Sequence, residues 1–285
     1  MNRLTPLPTN AEELNILTPI PTKTEEQRVM QKIILRIILG VCIAAAAVFA
    51  TLLIRELYID WQSRSFYDDL AANVEIRQSE PVQTVEEDAP PEQNDEPELW
   101  VPYVDFDELN EVFPGIAGWI RLDGTQIDYP VMQYTDNDFF LTHLPDGTAH
   151  RSGSIFLDYR NERGFSDKSI LIYGHETRAG DMFGVLKNYR EQEFFEANPM
   201  MHLHTPEKDY MLVLFAGHVA HSVRDHPPLE FTDDEFLEYI GHIKSKSVFS
   251  SNVEVSADDR IVSLVTCTYD FSNARLIVVG KLVEY

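Results

Sequence analysis

The chain has 285 residues, 44% of them hydrophobic and 25% charged, which allows one sizeable domain with appendages and excludes a wholly disordered protein. Its formal charge is −24, and residues 1–36 hold five basic against four acidic side chains, so the negative charge lies in residues 37–285. A part that acidic repels nucleic acid and anionic membrane surfaces, which argues for solubility and against a DNA or RNA partner.

Residues 1–27 are polar, proline-bearing and without period, and read as a flexible tail; Leu4-Thr5-Pro6-Leu7-Pro8-Thr9 and Leu17-Thr18-Pro19-Ile20-Pro21-Thr22 form a small repeat within it. Residues 37–54 are an uncharged run that would span about 27 Å as a helix, close to the hydrocarbon thickness of a bilayer. Arg28, Lys32 and Arg36 precede it, which predicts residues 1–36 as a cytoplasmic tail, 37–54 as a single membrane span and the remainder outside the cell. A cleaved signal peptide is the rival, with Val48-Phe49-Ala50 as its cleavage site; the charged region before the run is too long for one, and Leu52-Leu53-Ile54 carries the apolar stretch past that site.

Residues 55–78 continue helically, with Leu57, Trp61, Phe66 and Leu70 as the expected packing stripe. Residues 79–98, rich in Glu, Asp, Pro and Gln, read as an extended acidic linker that acts only as a spacer. From residue 99 to the end the texture is that of a compact domain. A short helix is expected over 105–112, strands over 116–121 and 126–132, a helical turn near 136–141, and strands over 154–159 and 169–173. A short helix over 181–189 and a hairpin of 201–204 with 210–218 come next. Thr232 and Glu235 form a capping box for a helix reaching about residue 246, and two strands, 261–268 and 275–283, close the chain. Many short strands with a few helices in the connections make a mainly β protein and suggest a closed barrel.

The chain has two cysteines. Cys42 lies in the apolar run, so Cys267 is the soluble part's only thiol and has no intrachain disulfide partner. It is a reactive thiol, an intermolecular bridge, or a small buried hydrophobe. A thiol attacks carbonyls as thiolate and needs a base or positive partner. His175 follows an apolar strand and Gly174, and Arg275, always charged, opens the strand after the cysteine strand and could sit beside Cys267 in a hairpin. Nucleophile, acid/base and oxyanion donor are then present, although spacing alone does not single them out. His202, His204, His218 and His221 could suggest zinc but are expected to be surface residues, since no cysteine or clustered carboxylate completes a site. Asp233, Asp234 and Glu235 read as the acidic first turn of a helix, not a calcium site. Trp119 and Tyr129 are expected in the core and barrel wall. No cofactor and no metal are expected.

Several ordered motifs resemble class B sortases. Ser263-Leu264-Val265-Thr266-Cys267 is similar to the family's Thr-Leu-x-Thr-Cys, departing by one hydroxyl residue for another, and Arg275 with Leu276 to Leu282 matches the downstream arginine strand. Tyr173-Gly174-His175 followed by Met182-Phe183-Gly184 matches the histidine segment. Gly118-Trp119-Ile120, Ile127-Asp128-Tyr129-Pro130-Val131, Asp136-Asn137-Asp138 and residues 153–161 look like class B segments too, so the resemblance covers about 105 to the end. It implies an eight-stranded sortase-like β-barrel with N-terminal helices, a helix before the last two strands and an N-terminal membrane anchor. It implies a cysteine transpeptidase that cleaves a C-terminal sorting motif of surface proteins after threonine, holds the product as a thioester, and passes it to an amine of a peptidoglycan precursor. By the same resemblance Cys267 is the nucleophile, His175 the general acid and base, and Arg275 the oxyanion donor. Asn137, Leu141, Tyr173 and Thr266 line the substrate pocket, and the sorting motif is Asn-Pro-x-Thr-like. The alternatives are a thiol protease that hydrolyses similar motifs and a non-catalytic barrel that binds surface proteins.

Overall fold

The computed structural model describes residues 24–74, 77–78, 102–177, 180–222 and 225–284; residues 1–23 and the acidic segment 79–98 lie outside these. Two units are distinguished, Met1–Tyr58 and Ile59–Tyr285. Helix α1 (Glu25–Asn73) is continuous, with Glu25 and Glu26 in its first turn and no proline to interrupt it. Among the described residues it is the one helix long and apolar enough to cross a membrane, and none of its most apolar window is buried against protein. Beyond Ile59 the buried positions are Ser63, Tyr67 and Leu70, whereas Trp61 is 60% exposed. The expected stripe through Trp61 was therefore partly misplaced: a 57/61/66/70 spacing drifts around the helix, while 63/67/70 keeps to one side at 3.6 residues per turn.

Two short strands, β1 (Arg77–Gln78) and β2 (Pro102–Tyr103), pair with each other. Helix α2 (Phe106–Val112) is capped by Asp105, whose carboxylate accepts the Glu108 N–H. The barrel is built from β3 (Ile116–Arg121), β4 (Asp128–Met132), β5 (Ile155–Leu157), β6 (Ser169–Tyr173), β7 (Met200–His204), β8 (Asp209–His221), β9 (Ile261–Cys267) and β10 (Ala274–Glu284). The short helix expected over 181–189 is a 3₁₀ helix at Phe183–Arg190, and α3 (Gln192–Ala197) follows it. Helix α4 (Asp233–Ser245) carries the expected capping box of Thr232 and Glu235.

The strands close in the order β10-β8-β7-β3-β4-β5-β6-β9, making an eight-stranded barrel. The β4–β5 and β6–β9 pairs are parallel and the other barrel pairs antiparallel. Closure leaves no strand edge to attract other chains. Alternation along β9 decides which residues fill the barrel. Val262 and Leu264 join Ile120, Leu157, Ile172, Leu203 and Val278 inside. Ile261 and Val265 lie on the opposite face under Phe236, Ile240 and Ile243 of α4. A third cluster seats Leu70 and the α2 residues Phe106 and Leu109 on Trp119, Met132 and Phe156, so Trp119 packs in the core as expected.

His218 on β8 is 5% exposed and its Nδ1 has no hydrogen-bond partner. Burial, aided by the charges of Lys246 and His242, pushes its pKa down to about 4. The unfolded chain therefore takes up this proton more readily than the folded one. Stability is unaffected above the ordinary histidine value of about 6.5 and falls as the pH drops from there to about 4, by on the order of 3 kcal/mol. Urea denaturation of the wild type and of His218→Phe between pH 7 and 4 tests this: the wild type should lose more stability than the variant, and parallel curves would refute the assignment.

Candidate active site

Residues 261–267 form a strand because they are β-branched or apolar at nearly every position, and Cys267 is the last of them. Two neighbours bring chemistry to it. Across the antiparallel pair, Arg275 of β10 stands directly opposite Cys267. Directly opposed residues place their Cβ atoms about 5 Å apart on the same face of the sheet. On the other side β6 runs parallel, with Tyr173 paired to Val265 and the Gly174 N–H donating to the Val265 carbonyl at 3.1 Å. His175 follows just beyond the end of β6 and lines the same cleft as Cys267.

Gly174 is required by close approach: a Cβ there would lie 2.7 Å from the Phe183 ring and closer still to Ile155. The His175 ring is held by its Nε2, 2.7 Å from the Leu141 carbonyl oxygen. A carbonyl only accepts, so Nε2 carries the hydrogen and Nδ1 is the nitrogen left to gain or lose a proton. Arg275 Nη1 donates to its neighbour's carbonyl, Ala274 O, at 2.9 Å.

Cys267, His175 and Arg275 share one open cleft with Asn137, Leu141, Tyr173 and Thr266, so all seven residues singled out in the sequence converge. Their parts differ. Leu141, in the 3₁₀ turn Phe139–Leu141, offers its side chain to the cleft and its carbonyl to His175. Thr266 is 3% exposed and its hydroxyl is buried without a partner, so it faces away from the cleft surface that Cys267 presents. The amide of Asn137 is engaged at both ends: Nδ2 donates to Asp158 at 3.0 Å and Oδ1 accepts the Tyr159 N–H at 3.0 Å.

Asp158 is the residue that sequence reasoning missed. Its side chain is fully buried just past β5, and its carboxylate takes two bonds from Arg160 at 2.8 Å, one from Asn137, and one from the Tyr173 hydroxyl at 3.0 Å. Burial opposes the charge, but the Arg160, Asn137 and Tyr173 bonds outweigh it and hold the pKa down at about 2. Tyr173, stacked on Phe156, is in turn pushed well above the ordinary tyrosine range by burial and by the Asp158 charge. The Tyr173 oxygen also lies 3.0 Å from His226 Nε2, and His226 Nδ1 is 2.9 Å from the Pro227 carbonyl, which ties a loop of the cleft wall to the same carboxylate. The one hint in the sequence is the acid–base spacing Asp158-Tyr159-Arg160 at a strand end.

The four other histidines expected at the surface are not uniformly exposed. His204 is 1% exposed with Nδ1 2.7 Å from Asp209, and His218 is buried, because both faces of the sheet are covered at these positions. Among the described residues no group of three or more histidines, cysteines or carboxylates is placed to hold a metal.

A family profile described as the sortase domain matches residues 120–283. Sortase B of Listeria monocytogenes is 36% identical over 179 residues, covering 62% of this chain and 73% of that protein. A Staphylococcus aureus sortase B–substrate complex superposes with a TM-score of 0.60 at 32% identity, over 63% of this chain and 84% of that one. Sortase B of Clostridium perfringens does so with a TM-score of 0.60 at 33% identity, over 63% of this chain and 100% of that one.

Replacing Asp158 by alanine strands the Arg160 charge, the Asn137 amide and the Tyr173 hydroxyl. Because the Arg160 side chain is 43% exposed and can rehydrate, the expected loss is discounted to about 2–4 kcal/mol. Chemical denaturation measures it; a loss below about 0.5 kcal/mol would show that the carboxylate does not organise the cleft.

Proposed function

The chain belongs to the sortase family, in its class B branch, and is a cysteine transpeptidase; we propose that Cys267, His175 and Arg275 carry its acyl transfer. The observation behind this reading is the convergence of the three residues at one end of β6, β9 and β10, in one cleft. The Cys267 thiolate attacks the threonine carbonyl of a sorting motif, forming the C–S bond while the carbonyl electron pair moves to oxygen. Arg275, permanently charged and opposite the cysteine, stabilises that oxyanion. As it collapses, the C–N bond breaks and the proton on His175 Nδ1 passes to the leaving amine. A thioester remains. An incoming amine attacks it, neutral His175 takes the amine's proton at Nδ1, and the thiolate departs with its electron pair. Each cycle thus restores the starting protonation states.

The substrates are surface proteins with a C-terminal, Asn-Pro-x-Thr-like signal, and the acceptor is an amine of a peptidoglycan precursor. Both rest on the class B resemblance. The enzyme is a single-pass membrane protein whose span, residues 37–54, lies within α1. Arg28, Lys32 and Arg36 before the span support a cytoplasmic N-terminus and an extracellular catalytic domain.

Intact-mass spectrometry of the full chain in nanodiscs, with threonine-centred sorting peptides and with or without a glycine or diaminopimelate amine, tests this function. The expected result is an acyl adduct on Cys267 that converts to an amide product in preference to acid. Cys267→Ala should abolish the adduct, and His175→Ala and Arg275→Ala should each lower turnover by about a hundredfold or more. Acid as the sole product would make the enzyme a hydrolase. No adduct with any peptide, from a cysteine that still reacts with iodoacetamide, would favour a binding role.

A further inference from the structure

His175 depends on two supports outside the barrel strands, and both lead to the same stretch of α1. The first is the loop just after it. The Phe183 N–H returns to the His175 carbonyl at 3.0 Å, Glu176 and Met182 form an isolated bridge, and the Thr177 hydroxyl donates to the Asp181 carbonyl at 3.2 Å. Met182 closes this loop at φ 56°, a conformation that costs a non-glycine residue about 1 kcal/mol or more and persists only where neighbours enforce it. The neighbours are identifiable. Tyr129 accepts the Met182 N–H at 3.1 Å, the Gln126 amide donates to Gly180 O and Asp181 Oδ1, and Arg64 Nε of α1 lies 3.0 Å from both oxygens of Asp181. The Asp181 side chain is 12% exposed, so this ion pair is shielded from water on the loop side.

The second support is the Leu141 carbonyl that fixes the His175 ring. Its loop is cross-linked by the Ser154 N–H to Phe140 O at 2.9 Å and by the His150 N–H to Thr142 O at 2.8 Å. Gly153 passes so close that a Cβ there would lie 2.7 Å from the Leu141 oxygen. The Gly153 carbonyl accepts the Tyr67 hydroxyl of α1 at 2.8 Å. Two further bonds anchor the loop to the same helix. His150 Nδ1 accepts the Ser152 N–H at 3.1 Å, so its Nε2 is the donor to Ile59 O at 3.0 Å. Arg151 Nη2 meets Asp60 Oδ1 at 2.5 Å. The two routes also touch, since the Tyr67 and Tyr129 rings pack edge to face at 5.0 Å.

We propose that Arg64 and Tyr67 are positioning residues for the reaction: from α1 they hold, respectively, the backbone loop of His175 and the carbonyl that sets its ring and tautomer. The inference rests on the assignment of His175 as the acid and base. Cys267 owes nothing to these contacts, because β6 and β10 place it. Loss of Arg64 or Tyr67 therefore misdirects proton transfer while leaving the thiol's surroundings intact.

The test uses the full chain in nanodiscs with a sorting peptide and an amine acceptor. It reads kcat, KM, the rate of Cys267 alkylation by iodoacetamide, and the melting temperature. Arg64→Ala should lower kcat by about tenfold, as expected when a reacting group is displaced by a fraction of an ångström. KM should stay within about twofold of wild type, and so should the alkylation rate at a pH high enough to ionise the thiol without help from His175. Arg64→Lys should recover part of the loss, and Arg64→Ala with Asp181→Ala should be no worse than Arg64→Ala alone. Tyr67→Phe keeps the ring and removes only the hydroxyl; a fall in kcat of about fivefold at nearly unchanged melting temperature is expected, which covers the case where Arg64→Ala fails to fold. Wild-type kcat in both Arg64→Ala and Tyr67→Phe would overturn the proposal. So would a loss of kcat accompanied by a raised KM and by slower alkylation at that high pH, since these mark general loosening. Failure of the wild-type chain itself to transfer would overturn the functional assignment, and this inference with it.

Discussion

The pairing of β9 with β6 on one side and β10 on the other is the constraint on which the rest depends. It closes the barrel, and because β6 is parallel to β9 while β10 is antiparallel, the three strands bring chain ends of different kinds to one rim. β6 and β9 both terminate there and β10 begins there. A slip of one residue in either register would turn Cys267 to the barrel interior or move His175 and Arg275 off its level. The interior side chains, Val262, Leu264, Ile172 and Val278 among them, prevent that slip, since each would have to leave the core. The energy that stabilises the barrel is thus the energy that sets the geometry of the cleft.

Strands place the thiol and the arginine, but a histidine just beyond a strand end needs more. The structure supplies it through polar contacts: the Leu141 carbonyl on the ring and the Asp181 carboxylate in the adjoining loop. The opposite wall of the cleft is organised in the same manner by Asp158, whose carboxylate gathers Arg160, Asn137 and Tyr173. The two carboxylates, Asp158 and Asp181, are fully or largely removed from water and have their partners, the condition under which buried polar groups give specificity of shape instead of a penalty. The cleft surface left over is mainly apolar with a few directed polar atoms, suited to an extended peptide whose orientation must be fixed but which must also depart.

Helix α1 combines two chemistries along one element. Its early turns carry the uncharged run, and from Ile59 onward a face of Ser63, Tyr67 and Leu70 packs in the catalytic unit. Hydrophobic burial there is modest, and Arg64, Tyr67 and Asp60 contribute specific bonds instead. Bonds of this kind add little to stability individually yet define where loops lie, which is what a catalytic side chain on a loop requires.

The amino-acid sequence by itself determined the uncharged run, the β character of the domain, the α4 capping box, and the short hairpin of β9 and β10 that puts Arg275 beside Cys267. These are local: they arise from alternation, capping and turns within a few residues, and the ordered class B motifs extended them to a barrel and to the roles proposed for Cys267, His175 and Arg275. Tertiary structure alone decided the rest. That His175 reaches the cleft of Cys267 depends on a parallel pairing between strands about ninety residues apart, which no local pattern encodes. The burial of Asp158 and of His204, the inward turn of Thr266, and the choice of 63/67/70 over 57/61/66/70 on α1 all depend on which neighbour covers a face. The same is true of the Leu141 carbonyl. A backbone oxygen carries no residue identity, so its role in fixing the His175 ring arises only when the folded chain brings the two together.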